Sequence, residues 1–163
     1  VSRLVKWGYS TLEVDSLGPR GLSDFCNSWS LIETMVDNRA QDAYDTKSYL
    51  AELSFIDRDR IAAIGWAHGG STIINITSRS IGDYVPFKAA IAFHPYCYKA
   101  LEQLNSPILI LIGEKDTLCP ADLCSKNMPY ILNNNSVLKF KISKPYLKAD
   151  NRFQSALFVF SIC

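Results

Sequence analysis

The stretch Ile64-Gly65-Trp66-Ala67-His68-Gly69-Gly70 has the spacing of a turn that presents a nucleophile, yet the residue at its apex is alanine. In the pattern G-x-S-x-G, a serine sits on a sharp bend between a strand and a helix. The flanking glycines remove side chains that would clash there. Gly65 and Gly69 take the two glycine positions, and Gly70 adds a third small residue. Ala67 carries no oxygen or sulfur with which to attack a carbonyl. A glycine-rich turn also serves simply to pack a helix closely, or to hold phosphate at the helix N-terminus. The heptapeptide alone leaves these readings open.

Few other residues offer chemistry. There are two histidines, His68 and His94, and five cysteines: Cys26, Cys97, Cys119, Cys124 and Cys163. His94, Cys97 and Cys119 follow apolar runs and are expected on one rim. A Cys–His pair there could act as nucleophile and base if the two lay within hydrogen-bond reach. The expectation for His94 is nevertheless a loop histidine bonded to backbone. His68, His94, Asp116 and Cys119 could in principle share a metal. However, the C-x4-C spacing of Cys119 and Cys124 has no histidine pair beside it, so no metal is expected. At 163 residues the core needs no disulfide, and free buried thiols are the default. A Cys97–Cys124 bridge would require both residues on loops at one end of a sheet. It would also move the compartment from cytoplasmic to periplasmic or secreted. Arg20, Arg39 and Arg79 could hold a substrate carboxylate, but solvated surface arginine is the expectation for each.

The elements that must position these residues alternate. Residues 61–64, 89–93 and 107–112 are short apolar runs that read as buried parallel strands. Residues 10–14 read as a fourth strand, closed by the loop signal Gly18-Pro19-Arg20-Gly21. Residues 137–142 alternate with period two, as a half-exposed edge strand does. Between them, Ala40, Ala43, Tyr44, Lys47, Leu50 and Leu53 recur at three-and-four spacing, which predicts a helix over 37–53 with Asp37 as its cap. Shorter helices are expected over 70–78 and 121–132, the latter interrupted by Pro129. Strands alternating with helices imply a doubly wound, mostly parallel sheet with helices on both faces, in a single domain over 1–163.

Bulk properties exclude other classes. Seventeen basic residues against sixteen acidic ones form no basic stripe, so nucleic acid is not an expected partner. No apolar run approaches the roughly 18–20 residues of a membrane helix, and residues 156–160 are far too short. No signal peptide is legible at the first residues, and the chain does not begin with Met. Oligomeric state is not readable.

The segments "WGYSTLEVDSLGPRG", "DAYDTKSYLAELSFIDRDRIAAIGWAHGGS", "AIAFHPYC" and "PILILIGEKDTLCPADLC" together resemble the dienelactone hydrolase family of α/β-hydrolases. They stand in family order and spacing over most of residues 4 to 124, with "DRDRIAAIGW" and "LIGEKD" the most specific. The resemblance implies an α/β-hydrolase-like sheet and hydrolysis of small carboxylic esters or lactones. It also implies a serine or cysteine nucleophile, a histidine base and an aspartate, with no cofactor. Carried over by position, Ala67 stands at the nucleophile, Asp116 at the acid, and the His68 backbone N–H at one oxyanion donor. The base should follow the acid in chain order. No histidine lies beyond His94, and the match "YLKADN" puts Leu147 where the base would be. The second oxyanion donor would precede Val1, so the opening strands of the sheet are expected to be missing, leaving an open strand edge.

Removing nucleophile or base from a serine hydrolase costs about 10⁶-fold in turnover, roughly 8 kcal/mol of transition-state stabilisation. The expectation is therefore a family member that is inactive by the family mechanism. Loss of nucleophile, base and opening strands together fits natural drift better than one engineered change. The rival expectations are a non-catalytic module binding a small ligand or partner, and a remnant whose unfamiliar tail after Tyr146 reflects frame decay.

Overall fold

Alternation along residues 108–113 decides how the centre of the molecule is built. In the strand Ile108–Gly113, Ile108, Ile110 and Ile112 are buried while Leu109 and Leu111 are half-buried on the opposite face. A strand with a two-residue period and apolar groups on both faces must be covered on both sides. The computed structural model, which describes residues 2–23, 29–78, 84–97, 104–128, 138–143 and 157–162, shows how this is done. In chain order its elements are α1 (Ser2–Lys6), β1 (Tyr9–Val14), α2 (Trp29–Glu52), β2 (Ile61–Trp66), α3 (His68–Ser78), β3 (Ala90–Phe93), β4 (Ile108–Gly113), α4 (Ala121–Asn127), β5 (Leu138–Ser143) and β6 (Leu157–Ile162).

The six strands form one sheet in the order β1-β6-β2-β3-β4-β5. β2, β3, β4 and β5 pair in parallel, and β6 runs antiparallel to both neighbours. The sheet is thus mostly parallel, with one reversed strand. On one face α2 and α3 cover the main core, where Ala40, Ala43, Tyr44 and Leu50 meet Ile61, Ala63, Ile73, Ile76, Ile108 and Ile110. The stripe at three-and-four spacing is the buried face of α2. Its Tyr44 stacks on Tyr84 at 5.1 Å and donates its hydroxyl to the Ile76 carbonyl at 2.8 Å, which satisfies the buried phenol. The other face is covered more thinly, by Leu4 of α1 packing with Tyr9 near Ile64, Ala62, Trp66 and Ile91. There Trp66 and Phe93 stack at 4.8 Å.

Several expectations need correction. α2 begins at Trp29, so Asp37 lies inside the helix rather than capping it, and it accepts a hydrogen bond from Asn75 on α3. α4 spans Ala121–Asn127 and stops just before Pro129, where the interruption was expected, since the proline ring disfavours helical backbone at Met128; residues 129–132 lie outside the described residues. An open strand edge was expected where the opening strands are missing; in the structure β6, drawn from the unfamiliar tail, pairs with both β1 and β2 and lies between them. β5 takes the edge position foreseen for residues 137–142. Cys97 and Cys124 are bridged, with Cα atoms 4.9 Å apart, against the expectation of free thiols. Among the described residues no helix is long and apolar enough to cross a membrane.

Candidate active site

Three central strands end side by side. Trp66 at the end of β2 is in register with Phe93 of β3, and Phe93 with Leu111 of β4. The residues that follow β2, β3 and β4, namely Ala67, His94 and Glu114 to Asp116, therefore leave the sheet at one edge. Hydrogen bonds tie them together: Ala67 N–H donates to the Phe93 carbonyl at 2.9 Å, and His94 N–H to the Leu111 carbonyl at 2.8 Å. Active sites of open parallel sheets form at such carboxyl ends.

Ala67 sits between β2 and α3 with φ +50°. Left-handed backbone at a non-glycine residue costs about 1–3 kcal/mol and persists only where its surroundings enforce it. Here the enforcement is close packing of the turn. A Cβ on Gly65 would run into the Gly69 carbonyl, and one on Gly70 would stand 2.8 Å from the Phe93 oxygen. Ser71 completes the clamp, its Oγ accepting from Tyr96 N–H at 2.9 Å.

His94 is the second strained residue, with φ +48°. Its Nδ1 lies 2.7 Å from Asp116 Oδ2. Asp116 is held in turn: its other oxygen accepts from the backbone N–H groups of Leu118 at 3.0 Å and Cys119 at 2.8 Å. Oδ1 is thus occupied by the loop, and Oδ2 faces the imidazole. Both side chains are mostly buried, 17% and 13% exposed. The expectation of a backbone-bonded loop histidine is overturned. Asp116 thus has a histidine partner, supplied upstream of it in the chain. The family's chain order points downstream of Asp116, where no histidine follows. The legible signal was the place of His94, one residue past the end of the strand adjacent to the acid's own. Leu147 lies outside the described residues, as does Arg79.

His68, the first residue of α3, has its ring engaged elsewhere. Its Nε2 is 2.9 Å from the Ile32 carbonyl and its Nδ1 is 3.2 Å from Arg39 Nη1. A carbonyl cannot donate, so Nε2 carries the hydrogen. The guanidinium donates to the lone pair on Nδ1. Burial, reinforced by the Arg39 charge and opposed by the Ile32 hydrogen bond, lowers its pKa to about 4, so the ring is neutral at pH 7. Arg39 itself is 1% exposed, not solvated, and burial lowers its pKa to about 10. Arg20 makes a two-pronged pair with Asp42 at 2.8 Å. Neither is a free carboxylate clamp on the surface.

The alternative nucleophiles fall away. Cys97 is tied to Cys124. Burial, with the Asp116 charge adding to it, pushes the Cys119 pKa up to about 12, so the thiol is protonated at neutral pH and unreactive. Among the described residues no group of three or more His, Cys, Asp or Glu side chains could hold a metal. A groove of about 580 Å³ opens beside Asp116, lined by Glu114, Pro120, Ala121, Asp122, Ser125 and Lys126.

The sequence model of the dienelactone hydrolase family matches residues 1–144. Among solved structures, the chain is similar to MGS-M1, an α/β-hydrolase enzyme from a Medee basin deep-sea metagenome library. That match has a TM-score of 0.54 and 22% identity, and covers 65% of this chain and 48% of that one. At this identity the likeness shows the fold alone. Esterase PE8 aligns with a TM-score of 0.47 at 17% identity, over 69% of this chain and 52% of its own. The chain spans about half the length of both structures. No curated protein matches it.

Proposed function

This chain belongs to the dienelactone hydrolase family, and from that premise we propose that it carries the family's ester or lactone site in a form that cannot acylate. Ala67 stands at the nucleophile position, Asp116 is the acid, and the His68 N–H at the start of α3 is an oxyanion donor. Leu147 marks the family's base position. The observation that carries the reading is Ala67 itself: a methyl group at a left-handed bend between β2 and α3, beside the strand end that bears His94. The bend has the strand-to-helix setting of an attacking side chain, and the atom that would attack is absent. Without a covalent intermediate, turnover by the family route loses about 10⁶-fold. The partner of this site is a small ester or lactone, and the chemistry requires no cofactor.

Intact-mass spectrometry after exposure to a fluorophosphonate and to a p-nitrophenyl ester tests this directly. The expected result is no adduct on the natural chain. A stoichiometric adduct within the site contradicts the reading. The groove beside Asp116 favours a second reading, in which the site holds a small ester without reacting. Thermal stabilisation by a non-hydrolysable ester analogue supports that reading, and indifference to every analogue counts against it.

A further inference from the structure

The His94–Asp116 pair has the parts of a general base that needs no covalent nucleophile. Asp116 Oδ2 accepts from Nδ1, which fixes the hydrogen there and leaves the lone pair on Nε2 in the neutral ring. Among the described residues Nε2 has no hydrogen-bond partner. The pair is pre-set on three counts. The carboxylate is anchored by two backbone N–H groups, the histidine is held in left-handed backbone, and its strand end is tied to both neighbours through Ala67 N–H and the Leu111 carbonyl. Strain concentrated at two adjacent strand ends, one of them carrying a carboxylate-oriented imidazole, is the pattern of a site rather than of a packed loop.

We propose that His94, oriented by Asp116, activates water for direct hydrolysis of a small neutral ester or lactone. The proposal rests on the preceding reading for the place of the site but not for its reactivity. In the step, water oxygen bonds to the carbonyl carbon while His94 Nε2 takes its proton. The tetrahedral intermediate then expels the alcohol oxygen as the C–O bond breaks, and the imidazolium returns the proton to that oxygen. Products are acid and alcohol, with no change in oxidation state and no other reactant. Ala67 lacks the side-chain oxygen that would otherwise take the place of the attacking water. The groove that opens on the Asp116 side of the pair presents Glu114 and Asp122, and its Lys126 already lies 3.6 Å from Asp122, which favours approach of a neutral substrate. A carboxylate-bearing ester would meet like charge there.

The test is hydrolysis of p-nitrophenyl acetate by the full chain, followed by stopped flow and by intact mass. General-base catalysis predicts a linear time course with no burst, about 10²–10⁴-fold above buffer, and no adduct at any time. His94→Asn, chosen because asparagine tolerates left-handed backbone, should abolish the excess rate. Asp116→Asn should lower it. Circular dichroism confirms that each variant is folded. A natural chain no faster than buffer, or no faster than His94→Asn, overturns this proposal and leaves the non-acylating reading intact. A burst with an adduct overturns both.

Discussion

His94 and Asp116 form a 2.7 Å imidazole–carboxylate contact between the ends of two adjacent parallel strands, with the imidazole in left-handed backbone. Three interactions converge on one carboxylate: one from the ring and two from loop N–H groups. Such charge-assisted bonds are stronger than neutral ones and fix the loop that follows β4.

Asp116→Asn tests how much of that loop depends on the charge. An amide that keeps its oxygen toward Leu118 and Cys119 turns its NH₂ toward Nδ1 of His94, so the ring must shift its hydrogen to Nε2 to accept, and the charge-assisted bond is lost. The expected loss is about 1–3 kcal/mol of unfolding free energy, read from urea denaturation with an unchanged m-value.

His68 predicts an acid-sensitive fold. Its folded pKa, lowered by burial to about 4, lies below the ordinary value of 6.5. Between those values the unfolded chain binds the proton and the folded one does not. Stability from this site is therefore intact above pH 6.5 and falls as pH drops toward 4. The full difference is about 3 kcal/mol at roughly 1.4 kcal/mol per pH unit. His68→Gln should flatten the stability–pH curve across that window, measured by denaturation midpoints at successive pH values.

The Cys97–Cys124 bridge joins the loop after β3 to α4 across 27 residues, next to His94 and Pro95. Closing a loop of that length removes about 3–4 kcal/mol of unfolded-state entropy. Unfolding in urea with and without dithiothreitol should show a difference of that order, and Cys97→Ala should abolish the response to reductant. A bridge of this kind persists in an oxidising compartment.

Period and composition made the sheet legible. The runs at 61–64, 89–93 and 107–112 are β2, β3 and β4 to within two residues, because short apolar stretches bounded by turns bury on both faces. The buried stripe from Ala40 to Leu50 was equally plain. What escaped was long-range. Nothing local in Leu157–Ile162 says that this strand inserts antiparallel between β1 and β2, since partner choice depends on which edge stands unfilled. The role of Arg39 was misjudged because burial of a charge follows from tertiary packing of α2 on His68, not from its neighbours in sequence. The site was half visible. Ala67 and Asp116 carry local signatures, a glycine-framed turn and a strand-end carboxylate. Chain order points downstream of Asp116, whereas strand adjacency brings His94 to it.

With two histidines in the chain, a long-range ¹H–¹⁵N spectrum of the folded protein at pH 7.5 tests the central geometry most directly. The geometry predicts hydrogen on Nδ1 of His94, facing Asp116, and a neutral His68 ring with its hydrogen on Nε2, facing the Ile32 carbonyl. His94→Asn removes the first set of signals and assigns them. Hydrogen on Nε2 of His94, or averaging between the two tautomers, would contradict the account.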